Sequence, residues 1–266
     1  MTDGLSRGLA RLAEMLAEAE RLGRVLSLQS LETEGLIPAT QDEGLAVQAA
    51  ATAAIGKPIA GWKVALTPDG SAIAAPIVDV QTVDGAASAE IKKPGAKAIE
   101  VEICVRLNQD VPPPQSARPY TRDDALGMID SLYLGIEVIG YRIDRKNEAP
   151  FPLLLADRLG NHSYVIGPEI THGLVDLLAS GEASALSLCV EDQGNERFRA
   201  APRHPQVDPL LPLVAFMNTP FGPLGGLRKG QFATTGSLCG ALPVEPVANL
   251  HIHGAMLPDM RLIIGT

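Results

Sequence analysis

The stretch that decides the fold is IEVEICVRL, residues 99–107. Side chains two positions apart lie on the same face of a β-strand. Glu100 and Glu102 therefore share one face, and the apolar residues at alternate positions from Val101 share the other. Two adjacent carboxylates on an apolar strand repel each other and lose hydration, so they need a compensating charge unless their face is open to solvent.

A third glutamate has a similar setting. The segment GIEVIG, residues 135–140, is a short apolar run with Glu137 at its centre. A lone carboxylate among isoleucine and valine is costly unless it is paired. Glu100, Glu102 and Glu137 would give three oxygen ligands with positions left for water or substrate, which suits Mg²⁺ or Mn²⁺ better than zinc. Spacing alone leaves a solvated strand face as the alternative.

The composition is that of a globular protein. Hydrophobic residues make up 46 % of the 266 residues, and the 22 basic and 31 acidic side chains give a net charge of −9. This acidic balance argues against a nucleic-acid or anionic-membrane partner. No apolar stretch approaches the roughly 20 residues of a membrane span, and acidic residues interrupt the first 26 positions, unlike a signal peptide. We therefore expect a cytoplasmic protein.

Cysteine usage points the same way. Cys104, Cys189 and Cys239 are far apart and form no CxxC pair. Neither a disulfide framework nor a thiolate zinc site is indicated, and small buried side chains in a reducing compartment are expected.

The chain divides by texture into a helical N-terminal part, residues 1–57, and a mostly β catalytic domain, residues 58–266. Leu, Ala and Met recur at three- and four-residue spacing over 5–26 and predict an amphipathic helix that ends near Gly23. A second helix is predicted over 42–55. The fold class is therefore α+β.

Helices are also predicted within the β part. Thr121 and Asp124 resemble a capping box, which predicts a helix over 121–135. Two more are predicted over 174–180 and 209–218.

Seven short segments follow one another along most of the chain. They are Gln48 in GLAVQ, GWKVALT at 61–67, the Glu100/Glu102 pair, Ile136-Glu137-Val138 followed by Arg142, Ala156-Asp157, Val165-Ile166-Gly167 and Thr235-Gly236-Ser237. Taken together and in this order, they resemble the 2-keto-4-pentenoate hydratase and 4-oxalocrotonate decarboxylase group of the fumarylacetoacetate hydrolase superfamily.

The resemblance implies a mixed β-roll, a homo-oligomer, a small 2-oxo acid substrate, and Mg²⁺ or Mn²⁺ on Glu100, Glu102 and Glu137. Members of the group hydrate 2-hydroxydienoates from aromatic catabolism, decarboxylate related oxo acids or cleave acylpyruvates. The metal would act as a Lewis acid on the oxo and carboxylate oxygens. Lys63 matches the group's lysine and is the first catalytic candidate, either binding a substrate carboxylate or moving protons.

Two segments depart from the group's pattern. Where the group has Pro-Asp-x-Gly this chain has PIVD, so Asp79 is the catalytic candidate that replaces the acid from two positions away. Where the group has Ala-Asp-Asn-Ala-Ser this chain has ADRLG, and Arg158 offers a fork for a substrate carboxylate. Thr235 and Ser237 are further candidates for binding substrate.

Three functions follow as hypotheses. The first is a hydro-lyase that adds water to a 2-hydroxy-2,4-dienoate. The second is a decarboxylase of a 2-oxo-enedioate. The third is a non-catalytic partner subunit with the same fold, because the usual acid and serine are missing.

The histidines give weaker signals. His251 and His253 lie at strand spacing in LHIH, residues 250–253. A metal role would need a third ligand, none is evident nearby, and a surface strand is therefore expected. His204 lies in a proline-rich loop, where exposure to solvent is expected.

Overall fold

The structure, a computed structural model, describes residues 5–83, 88–92, 95–115 and 117–265. Its α-helices are α1 (Arg7–Leu22), α2 (Leu28–Thr33), α3 (Gln41–Ile55), α4 (Arg122–Gly127), α5 (Phe151–Ala156), α6 (His172–Ala179) and α7 (Leu211–Met217). Its strands are β1 (Gly61–Leu66), β2 (Ala72–Ile77), β3 (Val80–Thr82), β4 (Ser88–Lys92), β5 (Ala98–Leu107), β6 (Ile129–Ile139), β7 (Asn161–Ile170), β8 (Leu188–Asp192), β9 (Asn195–Ala200), β10 (Phe232–Ser237), β11 (Leu242–Pro243), β12 (Ala248–Gly254) and β13 (Leu257–Gly265). The predicted α+β class is confirmed.

The N-terminal helices end where their capping residues allow. The Ser6 side chain accepts a hydrogen bond from the backbone of Leu9 at the start of α1, and Gly23 closes that helix in the left-handed conformation with φ 62°. Gly56 closes α3 in the same way. Both predicted helices are confirmed, whereas the short α2 was not predicted. Among the described helices, none combines the length and apolarity that a bilayer crossing requires.

The N-terminal helices share their core with a later part of the chain. Leu12 of α1 and Val47 of α3 belong to one buried apolar cluster with Ile143 and with Leu153 of α5. A Cβ atom at Gly44 would overlap the backbone around the Pro152 carbonyl, so α3 and α5 touch closely. The chain changes from helix to strand between Ile55 and Gly61, and this shared core joins the N-terminal helices to the later part of the chain.

The larger sheet has the strand order β2-β1-β10-β5-β6-β7-β3, and β11 also pairs with β5. Strands β1 and β10 run parallel, as do β3 and β7. The pairs β10–β5, β5–β6 and β6–β7 are antiparallel. The sheet is therefore mixed, as expected, and β5 lies between β10 and β6 near its centre.

The second sheet has the order β4-β13-β12-β8-β9. Its buried residues, such as Val190 of β8 and Ile252 of β12, belong to the same apolar cluster as Val101 and Ile136 of the larger sheet. The main core therefore contains one face of each sheet.

The predicted helix over 121–135 is wrong beyond Gly127. Thr121 and Asp124 do form the predicted capping box, but the chain then enters strand β6. From Leu132 to Val138 the large apolar side chains occupy every second position, which fits a buried strand better than a helix. The other two predicted helices are confirmed as α6 and α7.

Gly135 of β6 leaves room for the aromatic ring of Tyr164 on β7. A Cβ atom at this position would overlap the Tyr164 hydroxyl and lie 2.8 Å from a ring carbon. The ring is fully buried, and its hydroxyl donates a hydrogen bond to the Thr234 hydroxyl on β10 at 3.0 Å. A glycine at position 135 therefore lets one side chain reach from β7 across β6 and β5 to β10.

Replacing Gly135 with alanine should destabilise the protein by about 1–3 kcal/mol, because Tyr164 must leave its place in a close-packed core. The free energy of unfolding in urea measures this cost. Gly127→Ala is the matched control, because its Cβ atom would meet nothing within 4 Å. Its effect should stay within about 0.5 kcal/mol. Equal urea midpoints for the two variants would contradict the contact between Gly135 and Tyr164.

Candidate functional site

Glu100 and Glu102 lie on one face of β5, as their spacing predicts. Glu102 is 1 % exposed, whereas the Glu100 side chain keeps 17 % of its surface open to solvent. The apolar residues between and beyond them, such as Val101 and Ile103, are fully buried on the opposite face in the main core. The two carboxylates are therefore held by a strand that is fixed from behind.

Glu137 of β6 lies directly opposite Glu100 in the antiparallel register of β5 and β6. It is completely buried. Ligand oxygens of Glu100, Glu102 and Glu137 lie within 4.8 Å of one another. The antiparallel pairing thus brings Glu137 beside two acids that are distant from it in the sequence. A solvated strand face, the alternative that spacing alone left open, does not describe this cluster, in which Glu102 and Glu137 are buried.

Lys63 of β1 completes the cluster from across the sheet. Its Nζ atom lies 2.8 Å from Glu137 Oε2 and 3.7 Å from Glu100 Oε2. Its side chain is 16 % exposed, like that of Glu100. The opening of the site to solvent is therefore at Lys63 and Glu100, with Glu102 and Glu137 behind them.

These charges change one another's proton affinity. Burial raises the pKa of Glu102 well above its ordinary value, and the negative charges of Glu137 and Glu100 raise it further. Burial also raises the pKa of Glu100, although Lys63 opposes this. Burial alone would lower the pKa of Lys63, but the three carboxylates outweigh it and the pKa is raised, so Lys63 is a cation at neutral pH. When all four groups are ionised the net charge is 1 − 3 = −2.

Hydrogen bonds fix the orientation of the two deepest carboxylates. The Thr234 hydroxyl donates to Glu102 Oε2 and accepts from Tyr164. The Asn161 side-chain amide donates to Glu137 Oε1 at 2.9 Å. Each buried glutamate is thus held by a neutral donor from a neighbouring strand, β10 or β7.

A turn of unusual backbone geometry places Asn161. Arg158 and Leu159 have φ values of 52° and 53°, and Gly160 follows at 73°. Non-glycine residues rarely adopt this left-handed conformation, and two in succession cost roughly 1–3 kcal/mol each. Surrounding contacts must therefore hold this turn in place.

Arg142 supplies several of those contacts. Its guanidinium forms a buried ion pair with Asp157 and another with Glu20 of α1, at 3.0 Å for the latter. It also donates to the backbone carbonyl of Asn161 at 2.7 Å. Helix α1, the turn and the start of β7 are therefore joined by one arginine.

Arg158, a predicted substrate-binding residue, points into this same cluster. It is 3 % exposed, and its Nη2 atom lies 3.0 Å from Glu20 Oε2. Burial and the nearby charge of Arg142 lower the pKa of Arg158 to about 10, so it is still a cation at neutral pH. Its carboxylate partner here is a protein side chain, and it is linked to Glu137 through Asn161, whose backbone carbonyl it contacts at 3.4 Å.

Asp79, the second catalytic candidate, follows β2 and pairs with Lys57 at 3.1 Å. It lines a surface groove together with Ser163 and Glu90. This ion pair directs its carboxylate toward a surface lysine that takes no part in the glutamate cluster.

Thr235 and Ser237 flank a β-bulge where β10 passes β5. Gly236 between them has φ 132°, which favours glycine. The Ser237 hydroxyl donates to the Gly240 carbonyl at 2.9 Å, while the Thr235 hydroxyl is buried with no hydrogen-bond partner in the part of the chain described. Their neighbour Thr234 is the hydroxyl that contacts a site carboxylate.

The expectation that His204 is exposed is wrong. The side chain is 5 % exposed, and its Nε2 atom lies 2.9 Å from the Thr235 carbonyl oxygen. The proline-rich loop packs against β10, and it places the His204 ring against the bulge at Thr235 and Gly236.

No protein-family model and no curated protein matches the sequence. Solved structures do match. The 4-oxalocrotonate decarboxylase from Pseudomonas putida G7, complexed with calcium and acetate, has a TM-score of 0.72 at 20 % identity, over 97 % of this chain and 98 % of that chain. The same enzyme complexed with magnesium and adipate has a TM-score of 0.72 at 19 % identity, with the same coverage.

At this level of identity the comparison establishes the fold. The resemblance expected from the sequence is thus confirmed at the level of architecture. The chain has the mixed α+β fold of 4-oxalocrotonate decarboxylase over almost its whole length.

Proposed function

We propose that this protein is a metal-dependent enzyme that acts on a small 2-oxo acid, with Glu100, Glu102 and Glu137 holding one Mg²⁺ or Mn²⁺ ion. The observation that supports this proposal is the cluster of three carboxylates around Lys63, in which Glu102 and Glu137 are buried. Its net charge of −2 at full ionisation equals the charge that one divalent cation would neutralise. Oxygen-only donors suit these hard ions.

Magnesium is bound in a structure of the 4-oxalocrotonate decarboxylase of similar fold, but that is a property of the other protein, so the donor set of this chain is the main support. When bound, the cation supplies a positive charge beside which the oxygens of a 2-oxo acid can take up electron density. The residues of the chain do the rest. Glu102 and Glu137 are fixed by Thr234 and Asn161, so the ligand geometry is set before any ion arrives.

Lys63 is suited to binding a carboxylate or donating a proton. Its pKa is raised by the three glutamates, so at neutral pH it is a cation that can pair with a substrate carboxylate. A divalent cation bound to the glutamates would offset part of their negative charge and so make the Lys63 proton easier to donate. The Lys63 side chain lies beside Glu100 where the site opens to solvent, which is the side from which a substrate would enter. Asp79 and Arg158 take no part in the proposed reaction, because Asp79 pairs with Lys57 and Arg158 pairs with Glu20, both outside the glutamate cluster.

This distribution of groups favours decarboxylation of a 2-oxo-enedioate. Loss of CO₂ breaks a carbon–carbon bond and leaves an electron pair that the conjugated 2-oxo group accepts, and a proton is then delivered to carbon. No base is needed for the first part, and Lys63 can serve the second. Hydration of a 2-hydroxy-2,4-dienoate, the second candidate, also needs a base to activate water. The motif resemblance supports both reactions.

In the Glu102→Gln variant, we expect the affinity for the metal to fall and the stability of the metal-free protein to rise. In EDTA the variant should be more stable than the wild type by about 1–2 kcal/mol, because one buried negative charge is removed from a repelling set. Mn²⁺ affinity, measured by calorimetric titration, should fall at least about tenfold. Asp130→Asn is the control, since Asp130 is an exposed acid at the start of the same strand as Glu137.

Unchanged Mn²⁺ affinity in Glu102→Gln, or equal losses in Glu102→Gln and Asp130→Asn, would rule out the glutamate site.

The two reactions separate by their products. Incubation of the Mg²⁺-loaded protein with 2-oxohex-3-enedioate should release CO₂, and EDTA should abolish this release. Lys63→Met should lower the rate by roughly 10²-fold, as expected for loss of a proton donor. Trapped CO₂ and loss of ultraviolet absorbance measure the two processes in parallel.

Turnover of 2-hydroxypenta-2,4-dienoate without CO₂ release from the enedioate would instead establish hydration. Tight Mn²⁺ binding with neither activity would identify a non-catalytic partner subunit.

A further inference from the structure

The outer face of the second sheet brings two histidines next to an acid and a thiol. In the antiparallel register of β8 and β12, His253 lies opposite Cys189 and His251 lies opposite Glu191. All four side chains lie on the same face, since each pair of residues is two positions apart on its strand. The sequence-based expectation that no third ligand is near the histidines is therefore wrong, because the partner strand supplies it.

The polar atoms of this cluster lie at short distances. His253 Nε2 is 3.6 Å from Glu191 Oε1, and His251 Nδ1 is 3.8 Å from Glu191 Oε2. A sulfur, a nitrogen and an oxygen of Cys189, His253 and Glu191 all lie within 4.8 Å of one another. Three different ligand types thus converge on one point.

These distances suit a tetrahedral zinc ion. With bond lengths of about 2.0–2.3 Å, two ligand atoms on such an ion lie roughly 3.3–3.8 Å apart. The separation of 3.6 Å between His253 and Glu191 falls within that interval. The separations that involve the sulfur of the buried Cys189 are within 4.8 Å, and the Glu191 and His253 side chains, 28 % and 27 % exposed, have room to rotate toward it.

The two histidine rings support each other. His251 stacks on His253 with ring centroids 4.4 Å apart, and its Nε2 atom lies 3.2 Å from Asp259 Oδ2 on β13. Asp259 therefore anchors the first ring, and the first ring limits the rotation of the second. Such outer contacts orient ligands in metal sites.

We propose that Cys189, Glu191 and His253 form a second metal site, which binds Zn²⁺ through sulfur, oxygen and nitrogen and leaves a fourth position for water. The donors of this site differ from the three carboxylates of the glutamate site, so the two sites select different ions: thiolate and imidazole favour zinc, whereas carboxylates alone favour Mg²⁺ or Mn²⁺.

Binding is a ligand exchange with a defined proton balance. The Cys189 thiol gives its proton to solvent as the sulfur–metal bond forms. The three side chains replace water molecules that were bound to the ion, and these are released to solvent. No oxidant or reductant takes part. Because Cys189 and Glu191 belong to β8 and His253 belongs to β12, the bound ion links two adjacent strands of the second sheet.

The test uses Co²⁺ as a spectroscopic probe on the full chain, with excess Mg²⁺ present to fill the glutamate site. Coordination of Co²⁺ by a thiolate produces a near-ultraviolet charge-transfer band, which carboxylates do not give. We expect this band to saturate at one Co²⁺ per chain and to disappear when one equivalent of Zn²⁺ is added. One proton should be released by the thiol for each ion bound.

Two variants and one control assign the ligands. Cys189→Ser should abolish the band, and His253→Gln should weaken Co²⁺ binding at least about tenfold. His253 is partly exposed, so this variant keeps the fold even if the buried Cys189 does not tolerate change, and far-ultraviolet circular dichroism verifies this. Cys239→Ser, at a half-buried thiol on another element, should leave the band intact.

The second site is overturned if wild-type protein gives no thiolate band at one equivalent of Co²⁺. It is overturned equally if the band survives in Cys189→Ser, or if His253→Gln binds Co²⁺ as tightly as the wild type. The charge-transfer band comes from a thiolate, which the glutamate site lacks, and none of these readouts requires catalytic activity.

Discussion

Repulsion among three clustered carboxylates, two of them buried, is the main electrostatic strain in this fold. Glu100, Glu102 and Glu137 are brought together by the pairing of two central strands, and neither strand can shift by one residue without turning its apolar side chains out of the core. The hydrophobic effect thus imposes an arrangement that electrostatics opposes. The positive charge of Lys63 offsets part of the repulsion among the carboxylates. The Thr234 hydroxyl and the Asn161 amide donate hydrogen bonds that orient Glu102 and Glu137.

Much of this arrangement follows from the sequence because it is local or periodic. Alternation along 99–107 predicts which face carries the acids, and the capping residues predict where the first and third helices end. Glu137 was predicted from its apolar surroundings, and Lys63 from the resemblance of its segment. The helix wrongly extended to residue 135 shows the limit of a capping signal, which marks a start and gives no length.

Contacts between distant segments could not be predicted in this way. Tyr164 reaches Thr234 only because Gly135 is small, and no pattern in the sequence connects these three positions. The same holds for the ion pair between Glu20 and Arg142, two residues that are 122 positions apart in the chain. The cluster of Cys189, Glu191 and His253 was missed for the same reason, since β8 and β12 pair although three strands and a helix separate them in the chain.

The contact of Glu20 with two arginines has a consequence for the use of the first helix. Both guanidinium groups hold the backbone of Asn161, whose amide orients Glu137. A chain shortened to begin beyond α1 would leave two like charges facing each other without their shared counter-ion, and the strained turn would lose its main restraint. The first helix therefore supports the geometry of the glutamate cluster, and its removal would free Asn161 to move and leave Glu137 without a fixed amide donor.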